Sequence, residues 1–308
     1  MGSQIVGQTT SAAAIALGRV RPLIRLTRPH QWSKNLLLFL PALAGHLEWT
    51  PDNLSALLRG FLAFSFLSSF AYVVNDMRDV ADDRLHPTKR LRPLAAGQIG
   101  TTEAVGLAVL LAVSSLLLAG SLPPHFQLAL GCYAVGSGLY TLALKARLLV
   151  DVIVLAALYT LRLVAGAALV GAPLSRWFLP FSIFFFLSLA LVKRVTELRR
   201  MGPDAGTRRR RRAYKAVDAQ VLAAMGIACI ACAALVYCQY ISSHDITHLY
   251  RSPDFLWGGL PLLLYWQARI WVFALRDDLH DDPVVFALRD RVSFLTAGAF
   301  LFVVWLAA

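Results

Sequence analysis

The amino-acid sequence predicts an all-α, polytopic membrane protein with about nine transmembrane helices. Hydrophobic residues make up 57% of the 308 positions and charged residues only 16%, whereas ordinary domains in water carry about a quarter charged residues. Several apolar stretches approach the roughly 18–20 residues that a helix needs to cross a bilayer. Lys and Arg collect in alternate connections between these stretches, which is typical of chains that cross a membrane repeatedly. These three observations argue against a globular domain surrounded by water.

The apolar segments follow one another along the whole chain. They lie at about residues 36–50, 57–75, 103–121, 126–144, 150–171, 177–194, 217–241, 255–275 and 292–307. Ahead of the first segment, residues 20–35 place arginines at helical spacing beside Trp32 and predict an amphipathic helix at the membrane surface. Residues 1–19 are mostly small and polar, so we expect a disordered leader there and a single membrane domain over residues 20–308.

The connections after the second, fourth, sixth and eighth segments carry most of the basic residues. They hold Arg78, Arg84, Lys89, Arg90, Arg92, Lys145, Arg147, Lys193, Arg194, Arg199, Arg200, the run Arg208–Arg212, Lys215, Arg276, Arg289 and Arg291. The positive-inside rule then predicts that the N-terminus and these connections face the cytoplasm. The net charge of +12 is interpreted as this topology signal together with contacts to membrane lipids, and no nucleic-acid partner is expected. Homo-oligomer formation is left open.

A dense acidic and basic motif follows the second apolar segment. Residues 75–93 read NDMRDVADDRLHPTKRLRP, and a helix would place Asn75, Asp79 and Asp83 on one face. Clustered carboxylates without Cys or His suit Mg²⁺, which is commonly bound through a few carboxylates and substrate phosphates. Basic side chains such as Lys89 and Arg92 could hold phosphate oxygens directly. The motif therefore predicts a magnesium–diphosphate site at the membrane surface, with a solvated charged loop as the alternative.

A second polar group surrounds the connection after the fourth segment and comprises Tyr140, Lys145, Asp151 and Arg162. Arg162 lies roughly 16 Å along a helix that begins at Asp151. A charge at that depth is costly unless it faces a water-filled cavity or a partner. We expect Arg162 to receive a phosphate from a cavity on the cytoplasmic side, and a structural ion pair is the alternative.

A third group, Lys193, Arg194 and Glu197, lies at the cytoplasmic end of the sixth segment. The two basic residues are predicted to bind phosphate, with Glu197 as a ligand or an orienting group one turn further. The alternative is that both bases only mark the cytoplasmic flank of a membrane helix.

The motif NDMRDVADDR resembles the NDxxDxxxD signature of the UbiA superfamily of intramembrane prenyltransferases. The resemblance implies a helical bundle with a central cavity that opens to the cytoplasm. Typical aromatic prenyltransferases of this superfamily carry a second aspartate-rich motif after the sixth helix, whereas residues 191–198 here read LVKRVTEL. Four other stretches resemble the decaprenyl-phosphate phosphoribosyltransferase branch: RPHQWSKNLLLFLPALAG (28–45), HPTKRLRPLAAG (86–97), YTLRLVAGA (159–167) and DPVVFALRDR (282–291).

The branch resemblance implies transfer of phosphoribose from phosphoribosyl pyrophosphate (PRPP) to a polyprenyl phosphate, in a bacterial cytoplasmic membrane, for arabinofuranose donors of cell-envelope glycans. One acidic motif with several additional cations suits a donor that carries one diphosphate and a separate phosphate. Mg²⁺ is the expected cofactor, and Mn²⁺ is expected to substitute for it. The alternatives are a prenyltransferase that joins a polyprenyl diphosphate to an aromatic precursor, and a transporter or lipid-binding protein.

The expected site residues fall into three groups. The metal is expected at Asn75, Asp76, Asp79 and Asp83. Catalysis is assigned to Asp76, Asp79, Asp83, Lys89 and Arg92. Substrate binding is assigned to Lys34, Asn35, Arg78, Lys89, Arg92, Tyr140, Lys145, Asp151, Arg162, Lys193, Arg194 and Glu197.

Overall fold

The computed structural model describes residues 20–45, 49–85, 87–200, 213–246, 249–279 and 282–308. Three predicted features lie outside the described residues. They are the disordered leader at residues 1–19, the basic run Arg208–Arg212, and His86 at the start of the stretch HPTKRLRPLAAG. The described part of the chain contains helices, turns and loops and no strand, as the all-α prediction requires.

Eleven α-helices follow one another in the described residues. They are α1 (residues 20–27), α2 (Leu40–Ala44), α3 (Pro51–Arg84), α4 (Thr101–Gly120), α5 (Pro124–Leu142), α6 (Val150–Val170), α7 (Phe178–Arg199), α8 (Asp218–Ile241), α9 (Gly259–Leu275), α10 (Pro283–Ala287) and α11 (Arg291–Ala307). 3₁₀ segments lie between them, at Pro29–Phe39, Lys89–Leu91, Leu144–Ala146, His244–Ile246 and Pro253–Gly258.

Five of the described helices are long and apolar enough to cross a membrane, namely α3, α4, α6, α7 and α8. They coincide with five of the predicted segments. Helices α5, α9 and α11 coincide with three further segments, and α11 is apolar but has only 17 residues. The full set of about nine crossings and the cytoplasm-facing cavity stay predictions.

The first predicted crossing, over residues 36–50, is wrong as a continuous α-helix. The chain forms a 3₁₀ helix over Pro29–Phe39 and only five residues of α-helix over Leu40–Ala44. The predicted surface helix over residues 20–35 likewise ends at residue 27, because Arg28 has a positive φ of 51° and Pro29 follows it. A tertiary contact holds the chain where the two predicted helices meet, since the buried Asn35 donates to Ser65 Oγ over 3.1 Å.

The chain divides into two compact units, of which the first comprises Met1–Asn35 and Leu58–Leu122. Its core includes Leu26, Val73 and Ala104, none of which is exposed. Helix α3 has 34 residues and is therefore about 51 Å long, well beyond the roughly 30 Å of bilayer hydrocarbon. Its C-terminal turns, which carry the acidic motif, consequently follow the apolar part of the helix.

The second unit comprises Leu36–Leu57 and Pro123–Ala308. Helix α7 packs against α6, α8 and α9, and its residues Leu191, Val192 and Val195 are fully buried. Gly166 of α6 allows close backbone contact, because a Cβ there would lie 2.2 Å from the Leu38 carbonyl oxygen. The prediction of one membrane domain over residues 20–308 stays a prediction.

An ion pair joins α9 to the start of α11 in the second unit. Arg269 Nη1 lies 2.6 Å from Asp290 Oδ2, and the Asp290 carboxylate caps α11 by accepting a hydrogen bond from the Ser293 backbone N–H. Hydrogen bonds from Arg269 lower the pKa of Asp290 to about 2. The folded state therefore favours the ionised carboxylate at this cap.

Candidate functional site

Three aspartates of α3 form a buried stripe, which we call the acidic face: Asp76, Asp79 and Asp83. Their exposed fractions are only 2%, 6% and 3%. Their spacing of three and four residues places them on one side of the helix. Asn75 is half-buried and Arg78 is exposed, so Asp76 rather than Asn75 continues the buried stripe that the sequence led us to expect.

Two basic residues of the following segment meet the acidic face. Arg92 Nη1 donates to Asp76 Oδ1 over 3.1 Å and to Asp83 Oδ2 over 2.6 Å. Lys89 Nζ lies 3.9 Å from Asp83 Oδ1 and is 41% exposed. The structure thus brings together Asp76, Asp83, Lys89 and Arg92, with Arg92 as a bridge between two carboxylates. The roles that the sequence assigns to these residues stay predictions.

Arg28 also reaches the acidic face, and we did not assign it to the site from the sequence. Its Nη2 donates to Asp76 Oδ1 over 2.6 Å, and its guanidinium carbon lies 4.9 Å from the centre of the Tyr72 ring. A positive φ is unfavourable for a bulky residue and is disfavoured before proline. Such strain persists where surrounding contacts hold it. The only sequence signal is the place of Arg28 at the start of the stretch RPHQWSKN.

Lys34 and Asn35 lie in the part of the 3₁₀ helix Pro29–Phe39 that belongs to the first unit, with exposed fractions of 8% and 1%. Trp32 of the same helix donates through Nε1 to Ser69 Oγ over 2.9 Å, and Asn35 bonds Ser65. The 3₁₀ helix is therefore anchored to α3 by side-chain hydrogen bonds.

The second unit contains four polar residues that we call the buried arginine network: Asp151, Arg194, Glu197 and Tyr214. Arg194 is 1% exposed and Asp151 is fully buried. Arg194 donates through Nη2 to Asp151 and through Nη1 to Glu197. Tyr214 donates its hydroxyl proton to Asp151 Oδ1. Burial and this hydrogen bond raise the pKa of Tyr214, which keeps the phenol protonated as a donor.

The buried arginine network also secures the start of α6. The Leu149 backbone N–H donates to the Tyr214 hydroxyl over 2.9 Å, and Leu149 itself has a positive φ of 61°. Both terminal nitrogens of Arg194 bind carboxylates. The guanidinium carbon of Arg194 also lies 5.3 Å from the centre of the Tyr214 ring. This arrangement favours a positioning role for Arg194 over the direct phosphate contact expected from the sequence.

Arg162 is buried inside α6 at 6% exposure. Its Nη1 donates to the Leu158 carbonyl over 2.8 Å, and its Nη2 donates to the Tyr133 hydroxyl over 2.9 Å. The guanidinium carbon lies 4.6 Å from the Tyr133 ring centre and 5.4 Å from that of Tyr159. Aromatic faces and backbone oxygen thus solvate the charge at this depth.

The remaining expected residues of the second unit lie near helix ends. Tyr140 is half-buried in the last turn of α5, and Lys145 is half-buried in the 3₁₀ segment Leu144–Ala146. Lys193 Nζ lies 3.0 Å from Asp282 Oδ2 and remains 36% exposed. An anion can still approach the partly exposed ammonium group of Lys193. It cannot approach the guanidinium group of Arg194, which is enclosed.

The acidic face fits a hard divalent cation by the chemistry of its donors. Its oxygens are carboxylates, which suit Mg²⁺, and a positive group already stands between Asp76 and Asp83 in the form of Arg92 Nη1. In the described part of the chain, however, no three side chains of His, Cys, Asp or Glu are arranged closely enough to hold a metal ion. The donor types for a cation are therefore present, with the carboxylates held by arginine.

Comparison with known proteins gives relatives over most of the sequence. The chain is 36% identical to an uncharacterised protein of Sinorhizobium fredii over 89% of its own length, and it spans 54% of that protein. It is 32% identical to the nodulation protein NoeC of Azorhizobium caulinodans, with 87% of each chain covered. It is 38% identical over 183 residues to the decaprenyl-phosphate phosphoribosyltransferase of Mycobacterium tuberculosis, which is 58% of this chain and 61% of that one.

Solved structures share the fold. A UbiA homolog from Archaeoglobus fulgidus bound to GPP and Mg²⁺ superposes with a TM-score of 0.70 over 92% of this chain and 99% of the homolog, at 19% identity. The same homolog bound to Cd²⁺ gives a TM-score of 0.62. At this identity the likeness shows the fold alone. The model of the UbiA prenyltransferase family matches residues 36–296. Because that match covers most of the length of the chain, the chain belongs to the UbiA prenyltransferase family of integral membrane proteins.

Proposed function

We propose that the chain transfers the 5-phosphoribosyl group of PRPP to a polyprenyl phosphate and releases pyrophosphate. The observation that carries this proposal is the distribution of charge. One acidic face lies in the first unit, whereas Asp151 and Glu197 of the second unit are bound to the buried Arg194. The phosphoribosyltransferase relatives, at 38% identity over 58% of the chain, support the same reaction.

The acidic face and its basic neighbours suit the diphosphate of the donor. Asn75, Asp76, Asp79 and Asp83 would hold Mg²⁺, or Mn²⁺ in its place. The bound ion would neutralise charge on the leaving pyrophosphate and so favour its departure. Lys89 and Arg92 would contact the pyrophosphate oxygens through charge-assisted hydrogen bonds. Lys34, Asn35 and Arg78 would complete donor binding from the same unit.

The basic residues of the second unit suit phosphate monoesters. Lys193, Tyr140 and Lys145 would bind phosphate oxygens of the acceptor or of the donor's 5-position. Arg162 would join them by giving up the neutral oxygens of Leu158 and Tyr133 that its terminal nitrogens bond, whereas Arg194 bonds carboxylates. The attacking group is a phosphate oxygen that is already anionic, so the reaction requires no strong general base. Rate enhancement would then come from charge stabilisation and positioning. Asp151, Arg194 and Glu197 would shape this region without contacting phosphate directly.

The cellular setting of this reaction is also part of the proposal. By the positive-inside rule, the alternating basic connections support an N-terminus and an acidic face on the cytoplasmic side of a bacterial inner membrane, where PRPP would be available. The lipid product would serve as a precursor of arabinofuranose donors for envelope glycans.

One assay tests the proposed reaction against the alternative prenyl transfer. The full-length protein in lipid is supplied with PRPP labelled in the ribose, a polyprenyl phosphate and Mg²⁺, and the lipids are then extracted. Label in the lipid phase is the expected result. No label from PRPP, together with product formed from a polyprenyl diphosphate and an aromatic acceptor, would overturn the proposal in favour of a prenyltransferase.

Matched variants of α3 test the assignment of the acidic face. Asp83→Ala should lower pyrophosphate release by about a hundredfold or more, because removing one group that stabilises the transition state commonly costs that much. Asp52→Ala changes an exposed aspartate in the first turn of the same helix and should leave the rate unchanged. Equal rates for the two variants would contradict the assignment.

A further inference from the structure

The acidic face already carries an internal cation. Arg92 Nη1 bonds Asp76 Oδ1 and Asp83 Oδ2 over 3.1 and 2.6 Å, although these aspartates lie two helical turns apart. Arg28 Nη2 bonds the same Asp76 oxygen over 2.6 Å. Both aspartates are almost completely buried, so the arginines supply compensating charge that water does not supply here.

In the described part of the chain, arginine and not a metal-binding arrangement holds the carboxylates of the acidic face. Arg92 Nη1 lies within hydrogen-bond distance of both Asp76 and Asp83, and no three His, Cys, Asp or Glu side chains among the described residues lie closely enough to hold a metal ion. Because Mg²⁺ holds its oxygen ligands at about 2.1 Å, it could bind these two carboxylates only after Arg92 has left them.

We propose that Arg92 occupies the cation position of the acidic face and is exchanged for the divalent cation only when a diphosphate binds with it. The inference rests on the proposed function in taking a diphosphate as the ligand of this face. Cation binding requires Arg92 to leave both carboxylates, which then move closer together. The diphosphate gives the released guanidinium new oxygen acceptors of the same charge type.

This exchange makes the cation and the diphosphate bind cooperatively. A cation alone must break the hydrogen bonds between Arg92 and two buried carboxylates and leave the guanidinium without these partners. A cation that arrives with diphosphate replaces those bonds. Because coupling between two ligands is reciprocal, each ligand should raise the affinity for the other by the same factor. The coupling should depend on residue 92.

Measuring Mn²⁺ binding tests the exchange without turnover. The electron paramagnetic resonance signal of the free ion reports how much Mn²⁺ is bound. The full chain in lipid nanodiscs is titrated with and without inorganic pyrophosphate, with protein-free titrations to correct for the soluble complex. Arg92→Gln should bind Mn²⁺ alone about tenfold more tightly than the wild type, which is ~1.4 kcal/mol, and should lose most of the enhancement by pyrophosphate. Arg84→Gln, an exposed residue in the last turn of α3, should behave as the wild type.

Two further results keep the test decisive. Arg92→Lys retains the charge but lacks the planar fork of arginine, so it should show intermediate affinity and coupling. Mn²⁺ binding by Arg92→Gln that is no tighter than wild-type binding, or equal enhancement by pyrophosphate in both proteins, would overturn the exchange. Absence of Mn²⁺ binding in every variant would overturn both the exchange and the magnesium-dependent reaction. Coupled binding without transfer of labelled phosphoribose to lipid would overturn only the reaction.

Discussion

Replacing Asp151 by Asn tests whether the buried arginine network holds the second unit together. The substitution preserves the size of the side chain and removes its charge. Asp151 accepts hydrogen bonds from Arg194 and from the Tyr214 hydroxyl. An amide at this position offers only one acceptor oxygen and sets an N–H group against one of the two donors. Arg194 would then rely on Glu197, whose side chain is 31% exposed.

The magnitude follows from the burial of the two partners. Asp151 is 0% exposed and Arg194 is 1% exposed, so neither charge gains solvation when the pair is broken. Removing one partner of such a pair costs about 3–5 kcal/mol, because the other charge is left buried. We therefore expect Asp151→Asn to lower the free energy of unfolding by about that amount.

Reversible unfolding in mixed detergent micelles measures this difference, and a double-mutant cycle supplies the control. Arg194→Met alone should also destabilise, since it leaves Asp151 without its cation. The double variant Asp151→Asn/Arg194→Met should recover much of the loss, because no buried unpaired charge remains. A cost below about 1 kcal/mol for Asp151→Asn, or strictly additive losses in the double variant, would refute the reasoning.

Two further predictions concern packing and acid stability. Gly166→Ala should destabilise by about 1–3 kcal/mol or more, since its Cβ would overlap the Leu38 carbonyl. Gly106→Ala in α4, where a Cβ meets nothing within 4 Å, should be neutral or stabilising in the same unfolding assay. Arg269 holds the pKa of Asp290 at about 2, below its ordinary 3.8, so this pair stabilises fully above about pH 4 and loses its effect as the pH falls toward 2. Asp290→Asn should lower the free energy of unfolding at pH 7 and should reduce the decrease of this free energy between pH 4 and pH 2. An unchanged decrease over that range would contradict the assignment of the pair.

The acidic face shows how far local sequence reasoning extends. Helical periodicity placed Asp79 and Asp83 on one side of a helix, because this depends only on the 3.6-residue repeat, and both lie on the buried side of α3. It placed Asn75 on that side equally with Asp79 and Asp83, whereas the buried stripe contains Asp76. Which of two adjacent residues faces inward is decided by the neighbouring elements, here the segments that carry Arg28 and Arg92.

The N-terminal region shows where local reasoning failed. The arginine spacing and the apolar residues of 20–50 favour a surface helix followed by a crossing helix. The chain instead changes direction at Arg28 and continues as a 3₁₀ helix. Hydrogen bonds from Trp32 and Asn35 to serines of α3 stabilise this path. These partners are more than 29 residues distant, so no periodicity within the segment could reveal them.

The sequence by itself determined the membrane class, most of the apolar helices and the types of ligand that residues 75–93 could bind, because composition and helical repeat are local properties. Only the tertiary structure decided how the charges are paired. Arg194 is enclosed by Asp151, 43 residues away in the chain, and by Glu197, while Arg92 stands between Asp76 and Asp83. Pairing of this kind depends on which helices pack together, since a buried charge takes whichever opposite charge the packing brings within reach.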